Sequence, residues 1–528
     1  MKKTLSIVLV ISIVLSLCSC TIGVNNTQLT MGILNEITTL DPIFASGDGE
    51  TIISTNCFEG LLRFDSQGKI DLAGATAYTS ERNGLSYTFK LNPSAQWYIS
   101  NIVKTSLETS GIKNLDEKIT AEDYIFGIKR YIESGRTELN TIKGAEDLQN
   151  GKTDVQLGVT AKDEYTLQID LKKTDPDFLY KLAAFPVYPC DETFFNAFKG
   201  IYCTTPSTTL CNGPYYVKEV TTTESIIDKN PDYNGNIQTL NKSIVLYNTG
   251  KEDVLSSRLM DGSYDIAVLS SEVKIENHEP VSTLVSDVWG LAFNCSGEIG
   301  SSIKLRKLLS NTIQYSKIDL PEFALEKATR IIPDTYITDD DIYSSFEKNE
   351  ITFTPDEEKA LEKLDAILNS TDKEYLSFKF AIPEEMTATA QDILSHWRTI
   401  FGEKINVELL VFKTDEIEEV VTEKLYDVAI IPLSPEYNTC FSLINTFPDS
   451  PCFYKNTQMG KYKKEIKSTP GNIENVYANA EQLVINNRAF IPLFTTGYHL
   501  YTDEEIKGIY IADAGNKIYL HSGELIKE

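Results

Sequence analysis

The amino-acid sequence predicts a mixed α/β fold divided into more than one domain. Three observations carry this. Strand-like and helix-like segments alternate along the chain, one stretch in the C-terminal half reads as a complete strand-helix-strand unit, and 528 residues exceed the roughly 250–300 at which a single core divides. With 41% hydrophobic and 24% charged residues the composition is globular, so two or three domains are expected.

The first twenty residues read as an export leader. Lys2 and Lys3 precede an apolar run from Leu5 to Leu17 that is too short to span a bilayer, and Leu17-Cys18-Ser19-Cys20 follows. A leucine three places before a cysteine and a small residue just before it resemble the site where lipoprotein signal peptidase cuts after a diacylglycerol is attached. Cys20 is therefore the expected lipid attachment residue; bulky Leu17 makes Cys18 the poorer candidate. Each buried lipid CH₂ adds about 0.8 kcal/mol of membrane affinity, and two chains anchor stably. The polar stretch Thr21 to Gln28 reads as a tether. No later apolar run approaches the ~18 residues of a spanning helix.

Strands are predicted at Leu29–Leu34, Leu85–Leu91, Tyr165–Leu171 and Lys242–Tyr247 from β-branched and aromatic content, and helices at Ala121–Glu133 and Lys251–Met260. In the C-terminal half, Leu376, Phe378, Phe380 and Ile382 alternate at period two until Pro383. Apolar residues then recur at helical spacing from Met386 to Phe401, Gly402 is placed to end the helix in the left-handed conformation, and Ile405–Val411 reads as the next strand. Such a βαβ unit packs with a right-handed crossover over a parallel sheet. Upstream, Thr354-Pro355-Asp356-Glu357 has the form of a helix start, with Thr at the N-cap and Pro at the first helical position. An internal echo joins Tyr264-Asp265-Ile266-Ala267 to Tyr426-Asp427-Val428-Ala429, each a helix end followed by a buried strand. Two lobes built from similar units would hold a ligand crevice between them.

The net charge is −27, two units more negative without Lys2 and Lys3, and it is spread over the chain. Such a field repels phosphate and argues against nucleic acid as a partner. Seven cysteines follow Cys20: Cys57, Cys190, Cys203, Cys211, Cys295, Cys440 and Cys452. An odd number cannot pair fully, and spacing does not fix connectivity. There is no CxxC and the four histidines are scattered, which argues against zinc. Asp339-Asp340-Asp341 lacks the Gly and terminal Glu of a calcium loop. The common nucleophile, P-loop, metalloprotease and dinucleotide motifs are absent, so no enzyme is expected.

The order of short blocks is informative. Leu40-Asp41-Pro42, Cys57-Phe58-Glu59-Gly60-Leu61-Leu62-Arg63-Phe64-Asp65, Asn83-Gly84-Leu85-Ser86-Tyr87-Thr88-Phe89-Lys90-Leu91, Ala95-Gln96-Trp97, Asn212-Gly213-Pro214-Tyr215 and Gly262-Ser263-Tyr264-Asp265 follow one another. In that order they resemble the peptide/nickel class of extracellular solute-binding proteins of ABC importers, and oligopeptide-binding members above all. The resemblance implies a periplasmic-binding-protein-like α/β fold of two lobes and three domains, with the ligand cleft between lobes. Carried onto this chain it gives a leader at 1–19, a tether at 20–28, domain I at 29–58 with 190–286 and 498–528, domain II at 59–189 and domain III at 287–497.

Pro435-Glu436-Tyr437-Asn438-Thr439-Cys440 resembles the segment that meets a peptide's N-terminus, with Glu436 where an acid pairs with the α-amino group and Tyr437 and Asn438 beside it. Ser46, Gly47 and Asp48 fall on the cleft loop of the first domain, and Trp289 on the first strand of the last domain, as pocket wall or as core. The implied protein is a monomer without cofactor, held by its lipid on the extracytoplasmic side of the cell membrane. Its implied partners are a peptide ligand and the permease and ATPase subunits of the importer. Alternatives are another solute in the same fold (dipeptide, pheromone, nickel chelate, oligosaccharide) or a surface receptor lipoprotein that does not transport. Three departures stand out. Tyr98 to Lys118 is longer than the family turn, Asp287 and Ser434 occupy positions of a disulfide in some relatives, and Pro432-Leu433 replaces a Gly-aromatic pair beside the ligand, where proline has no N–H to donate.

Overall fold

The computed structural model describes residues 28–113, 115–270, 280–338, 342–343, 357–435, 437–449, 451–468, 474–512 and 517–525. Cys20, the Asp339–Asp341 run, Thr354 to Asp356 and Glu436 lie outside the described residues. In chain order, the elements used below are β1 (Gln28–Ile33), α1 (Asp48–Cys57), β2 (Ala75–Glu81), β3 (Ser86–Leu91), α2 (Asn101–Thr109), α3 (Ala121–Glu133), β4 (Val159–Asp163), β5 (Thr166–Asp170), α4 (Phe178–Ala184), β6 (Tyr215–Val220), β7 (Glu224–Lys229), β8 (Ser243–Asn248), α5 (Glu252–Met260), β9 (Ile266–Leu269) and β10 (Ser282–Phe293). The second half adds α6 (Ala360–Thr371), β11 (Leu376–Pro383), α7 (Thr387–Phe401), β12 (Ile405–Phe412), α8 (Ile417–Thr422), β13 (Val428–Leu433), α9 (Cys440–Thr446), α10 (Thr457–Ser468) and β14 (Phe490–Thr502).

One sheet runs through both lobes in the order β12-β11-β13-β10-β14-β9-β1-β8-β7-β6, and the short strand Glu326–Lys327 also pairs with β14. Its centre is the long antiparallel pair β10 and β14. To one side β9, β1 and β8 are parallel; to the other β13, β11 and β12 are parallel. The inner strands β8, β9 and β13 are almost wholly apolar, as strands covered on both faces must be.

The two parallel triads repeat one another, which explains the Tyr-Asp echo. In the first lobe β8, α5 and β9 form a crossover over β1; in the second β12, α8 and β13 form one over β11. Asp265, just before β9, accepts the backbone N–H of Thr30 at 2.7 Å and donates its own N–H to the Thr30 carbonyl at 3.0 Å. Asp427, just before β13, accepts the N–H of Lys379 at 2.9 Å and donates to its carbonyl at 3.1 Å. The same side chain locks the start of the corresponding strand in both lobes.

A separate four-stranded antiparallel sheet, β2-β3-β5-β4, is covered by α3. Tyr124, Ile128, Tyr131 and Ile132 form the buried stripe of that helix, and Asp123 caps it by accepting from Thr120 at 2.7 Å. The long insertion after Trp97 forms α2, capped by Ser100.

Two local expectations are corrected. Gln28 already pairs with Ser243 in the sheet, so the strand begins within the expected tether. The helix start read at Thr354 lies outside the described residues; Glu357, which is described, accepts from Gln314 at 2.8 Å and bonds His396 at 3.1 Å, and α6 runs from Ala360 after Lys359 at φ 58°. Gly402 has the positive φ of 54°, but its ψ of −129° lies outside the left-handed helical region. The remaining departures are end shifts of a residue or so.

The paired locks give a test. Asp265→Ala and Asp427→Ala each take the carboxylate partner from one backbone N–H, that of Thr30 within β1 and that of Lys379 within β11. Asp265→Ala should lower unfolding stability by about 1–3 kcal/mol in urea titrations, and Asp427→Ala, whose bond is exposed to water, by less. Equal losses would show that solvent does not relieve the Lys379 N–H.

Candidate functional site

A cavity of about 670 Å³ opens between the four-stranded unit and the second lobe. One wall is Glu138, Asn140, Thr141, Asp175, Asp177 and Lys181; the other is Pro432, Leu433, Ser434, Tyr437, Phe441 and Ser442. The first wall follows from Thr174-Asp175-Pro176-Asp177, which turns the chain from β5 into α4. The second follows from Thr439, whose hydroxyl caps α9 by accepting from Ser442 at 3.0 Å and so fixes the residues before it.

Tyr437 joins the walls. Its hydroxyl donates to Asp177 Oδ2 at 3.1 Å and its ring meets Phe185 edge-on at 5.9 Å. Nearby, Tyr180 donates to the Thr338 carbonyl at 3.1 Å, a second bond from α4 to the opposite lobe. Behind Asp177, Asp175 accepts from Lys181 at 2.8 Å and from Thr141 at 3.0 Å. Burial, and then the adjacent Asp175 carboxylate, push Asp177 up to about 7, against the pull of Lys181 and of hydrogen bonds from Tyr437 and Thr439. Six carboxylates line the cavity (Glu138, Glu146, Asp175, Asp177, Glu418, Asp449) against three ammonium groups (Lys173, Lys181, Lys467), so its wall is acidic.

Of the residues singled out in the sequence, Tyr437 lines this cavity. Asn438 lies beneath it, its amide donating to the Val285 carbonyl on β10 at 2.8 Å while its own carbonyl accepts from Ile337 at 3.1 Å. Ser46, Gly47 and Asp48 lie in the first lobe, away from the cavity lining, at the start of α1. Glu50 accepts from the N–H groups of Ser46 (2.9 Å), Gly47 (3.2 Å) and Thr38 (2.9 Å), while Asp48 accepts from Leu34 and Asn35. Burial pushes Glu50 up, but these bonds outweigh it and hold the carboxyl below its ordinary value. Trp289 stacks on Phe494 at 5.7 Å, meets Phe323 edge-on and is 7% exposed, in the second lobe's core. Pro432 sits within β13 opposite Trp289 and lines the cavity. Asp287 accepts from Ser286 at 2.7 Å.

Sequence reasoning missed Asp175, Asp177 and Lys181. The only signal was two acids flanking a proline before a helix, and in a chain with 76 acids that does not stand out. No disulfide joins the described cysteines; Cys57 lies beside Cys211, which in turn neighbours Cys203, and Cys295 lies beside Cys452. Among the described residues no cluster of His, Cys, Asp and Glu is arranged to hold a metal, and no helix is long and apolar enough to cross a membrane.

The model of the bacterial extracellular solute-binding proteins, family 5 Middle, matches residues 69–454. The chain belongs to this family. This solute-binding protein is thus of a family of binding proteins and not of enzymes. It is 28% identical over 244 residues to the oligopeptide-binding protein AmiA of Streptococcus pneumoniae, covering 44% of this chain and 35% of AmiA. The matched stretch therefore spans about a third of that relative's length. To the periplasmic oligopeptide-binding protein OppA of Salmonella typhimurium it is 23% identical over 494 residues, 87% of this chain and 85% of OppA. The Escherichia coli murein tripeptide-binding protein MppA, in its unliganded open form, superposes with a TM-score of 0.74 at 21% identity, covering 96% of this chain and 98% of MppA, and so shares the fold.

The elevated Asp177 carboxyl has a consequence for stability. Its ordinary value is 3.8, so the folded state holds the proton more tightly, and the stability this contributes is full below 3.8 and lost as pH rises through about 7. Across that window the wild type should lose stability relative to Asp177→Asn at up to about 1.4 kcal/mol per pH unit. Urea unfolding of both at a series of pH values measures this, and parallel curves would mean that Asp177 titrates as an ordinary carboxylate.

Proposed function

We propose that this solute-binding protein is the lipid-anchored receptor of an ABC importer and captures oligopeptides in the cleft between its lobes. The observation that carries the reading is the acidic wall at Asp175 and Asp177, which meets Tyr437 immediately beside Glu436. A free α-ammonium leaving water for a closed cleft needs a charged, hydrogen-bonded partner, or its burial costs several kcal/mol. Glu436 supplies that partner and the surrounding carboxylates keep the local potential negative. The names of the oligopeptide-binding relatives agree with this ligand class.

Closure follows from the crossing strands. The domain boundaries at 286/287 and 497/498 are supported by the register shift between Val285 and Asp287 and by Gly497, where an added Cβ would stand 1.7 Å from the Leu284 carbonyl oxygen. Bending there brings the lobes together around the ligand, and the closed form docks on the permease. Cys20 carries the lipid that holds the receptor at the outer face of the membrane.

A thermal-shift screen of the chain from residue 21 with peptides of about two to eight residues, each free and N-acetylated, tests the reading. Free peptides should raise stability by about 2.7 kcal/mol at a hundredfold excess over Kd. Their acetylated versions should not, and Glu436→Gln should remove the difference. A shift by sugars or metal chelates, with none by peptides, would overturn the ligand assignment.

A further inference from the structure

The most basic stretch in this acidic protein lies on the second lobe. Residues 455–467 hold Lys455, Lys461, Lys463, Lys464 and Lys467 with Glu465 as their single acid, in a chain of net charge −27. Met459 and Ile466 anchor α10 to the core, which turns several of these lysines outward. Lys455, Lys463, Lys464 and Lys467 line one shallow basin of about 440 Å³ with Pro448, Asn456, Met459 and Gly460, and its lining contains no carboxylate. Among the described residues none of the four has a carboxylate at salt-bridge distance, unlike Lys118, Lys152, Lys172 and Lys218 elsewhere on the molecule. Lys467 alone has an aromatic neighbour, Phe441, 5.4 Å from its ammonium.

Two further observations point to a ligand. Gly460 is an interior residue of α10, where glycine costs about 1 kcal/mol relative to alanine, and a Cβ there would meet nothing within 4 Å. Packing does not require the glycine, but its absence of side chain keeps the basin open. The ammonium groups also crowd one another. Burial, and then Lys467, hold Lys463 below its ordinary value although Asp449 is near; burial, and then Lys173 across the cleft, do the same for Lys467 although Asp175 and Asp177 are near. A bound anion would relieve both. Lysines are compact point charges rather than planar forks, so four around one hollow suit a multivalent, roughly spherical anion better than a single carboxylate.

We infer that this basin binds a multivalent oxyanion of the phosphate class, free or as a phospholipid headgroup. Elsewhere the protein's field repels such an anion, so the basin is where it gains a favourable potential. Lys467 also lines the cleft, but Lys455, Lys463 and Lys464 do not, so the site survives or fails without the peptide reading.

Calorimetric titration of the chain from residue 21 with pyrophosphate, beside flotation with phosphatidylglycerol vesicles, tests it. The variants are K455Q/K464Q, which removes two ammonium groups, and Gly460→Glu, which puts a carboxylate into the basin; thermal midpoints check that both are folded. Pyrophosphate should bind the wild type at least tenfold more tightly than either variant, and less tightly as salt rises. Vesicle binding lost in the variants, without pyrophosphate binding, would assign the site to a lipid headgroup. No binding in either arm, or equal binding by wild type and variants, overturns the site.

Discussion

The antiparallel pair β10 and β14 is the constraint on which the rest of the architecture depends. These two strands are the middle of the sheet and the place where one lobe passes into the other. Each parallel triad needs an antiparallel neighbour to continue, and each finds it in one strand of the pair: β9 on β14, β13 on β10. Both strands serve both lobes, and the register of the pair slips twice, between Val285 and Asp287 and between Trp289 and Gly290, where Trp289 and Phe494 stack across it in the second lobe. A β-bulge bends and twists a strand, and both irregularities bend this central pair.

The cleft inherits its chemistry from what the strands hold in place. Asn438 ties the segment around Tyr437 to β10, and Tyr437 reaches across to Asp177. The acidic wall is therefore registered against the second lobe by hydrogen bonds rather than left to surface charge. In the low dielectric of the cleft, two adjacent buried acids are not both comfortably ionised, and Lys181 compensates only one of them directly. An arriving cation would complete what the protein leaves undone.

Much of the fold was legible in the sequence because its strongest signals are local. The period-two run at 376–382 and the helical run after it gave β11 and α7, and the Tyr-Asp echo marked the repeated triads. The family followed from the order of short blocks. What stayed hidden depends on long-range geometry. Asp175 and Asp177 gain meaning only because residues some 260 positions later fold against them. Trp289, read as pocket wall or as core, turns its face to Phe494 in the core, a choice set by strand register. Ser46 to Asp48 fall on the expected cleft loop but are held by Glu50 and by the backbone just after β1.

A crystal structure with a bound oligopeptide tests the central claim most directly. The account predicts the peptide between the lobes, its α-ammonium beside Glu436 and near the Asp177–Tyr437 contact, with the lobes rotated toward one another about residues 285–287 and 497. A peptide bound on the outer surface of either lobe, or one whose amino terminus lies at the far end of the cleft, would contradict it.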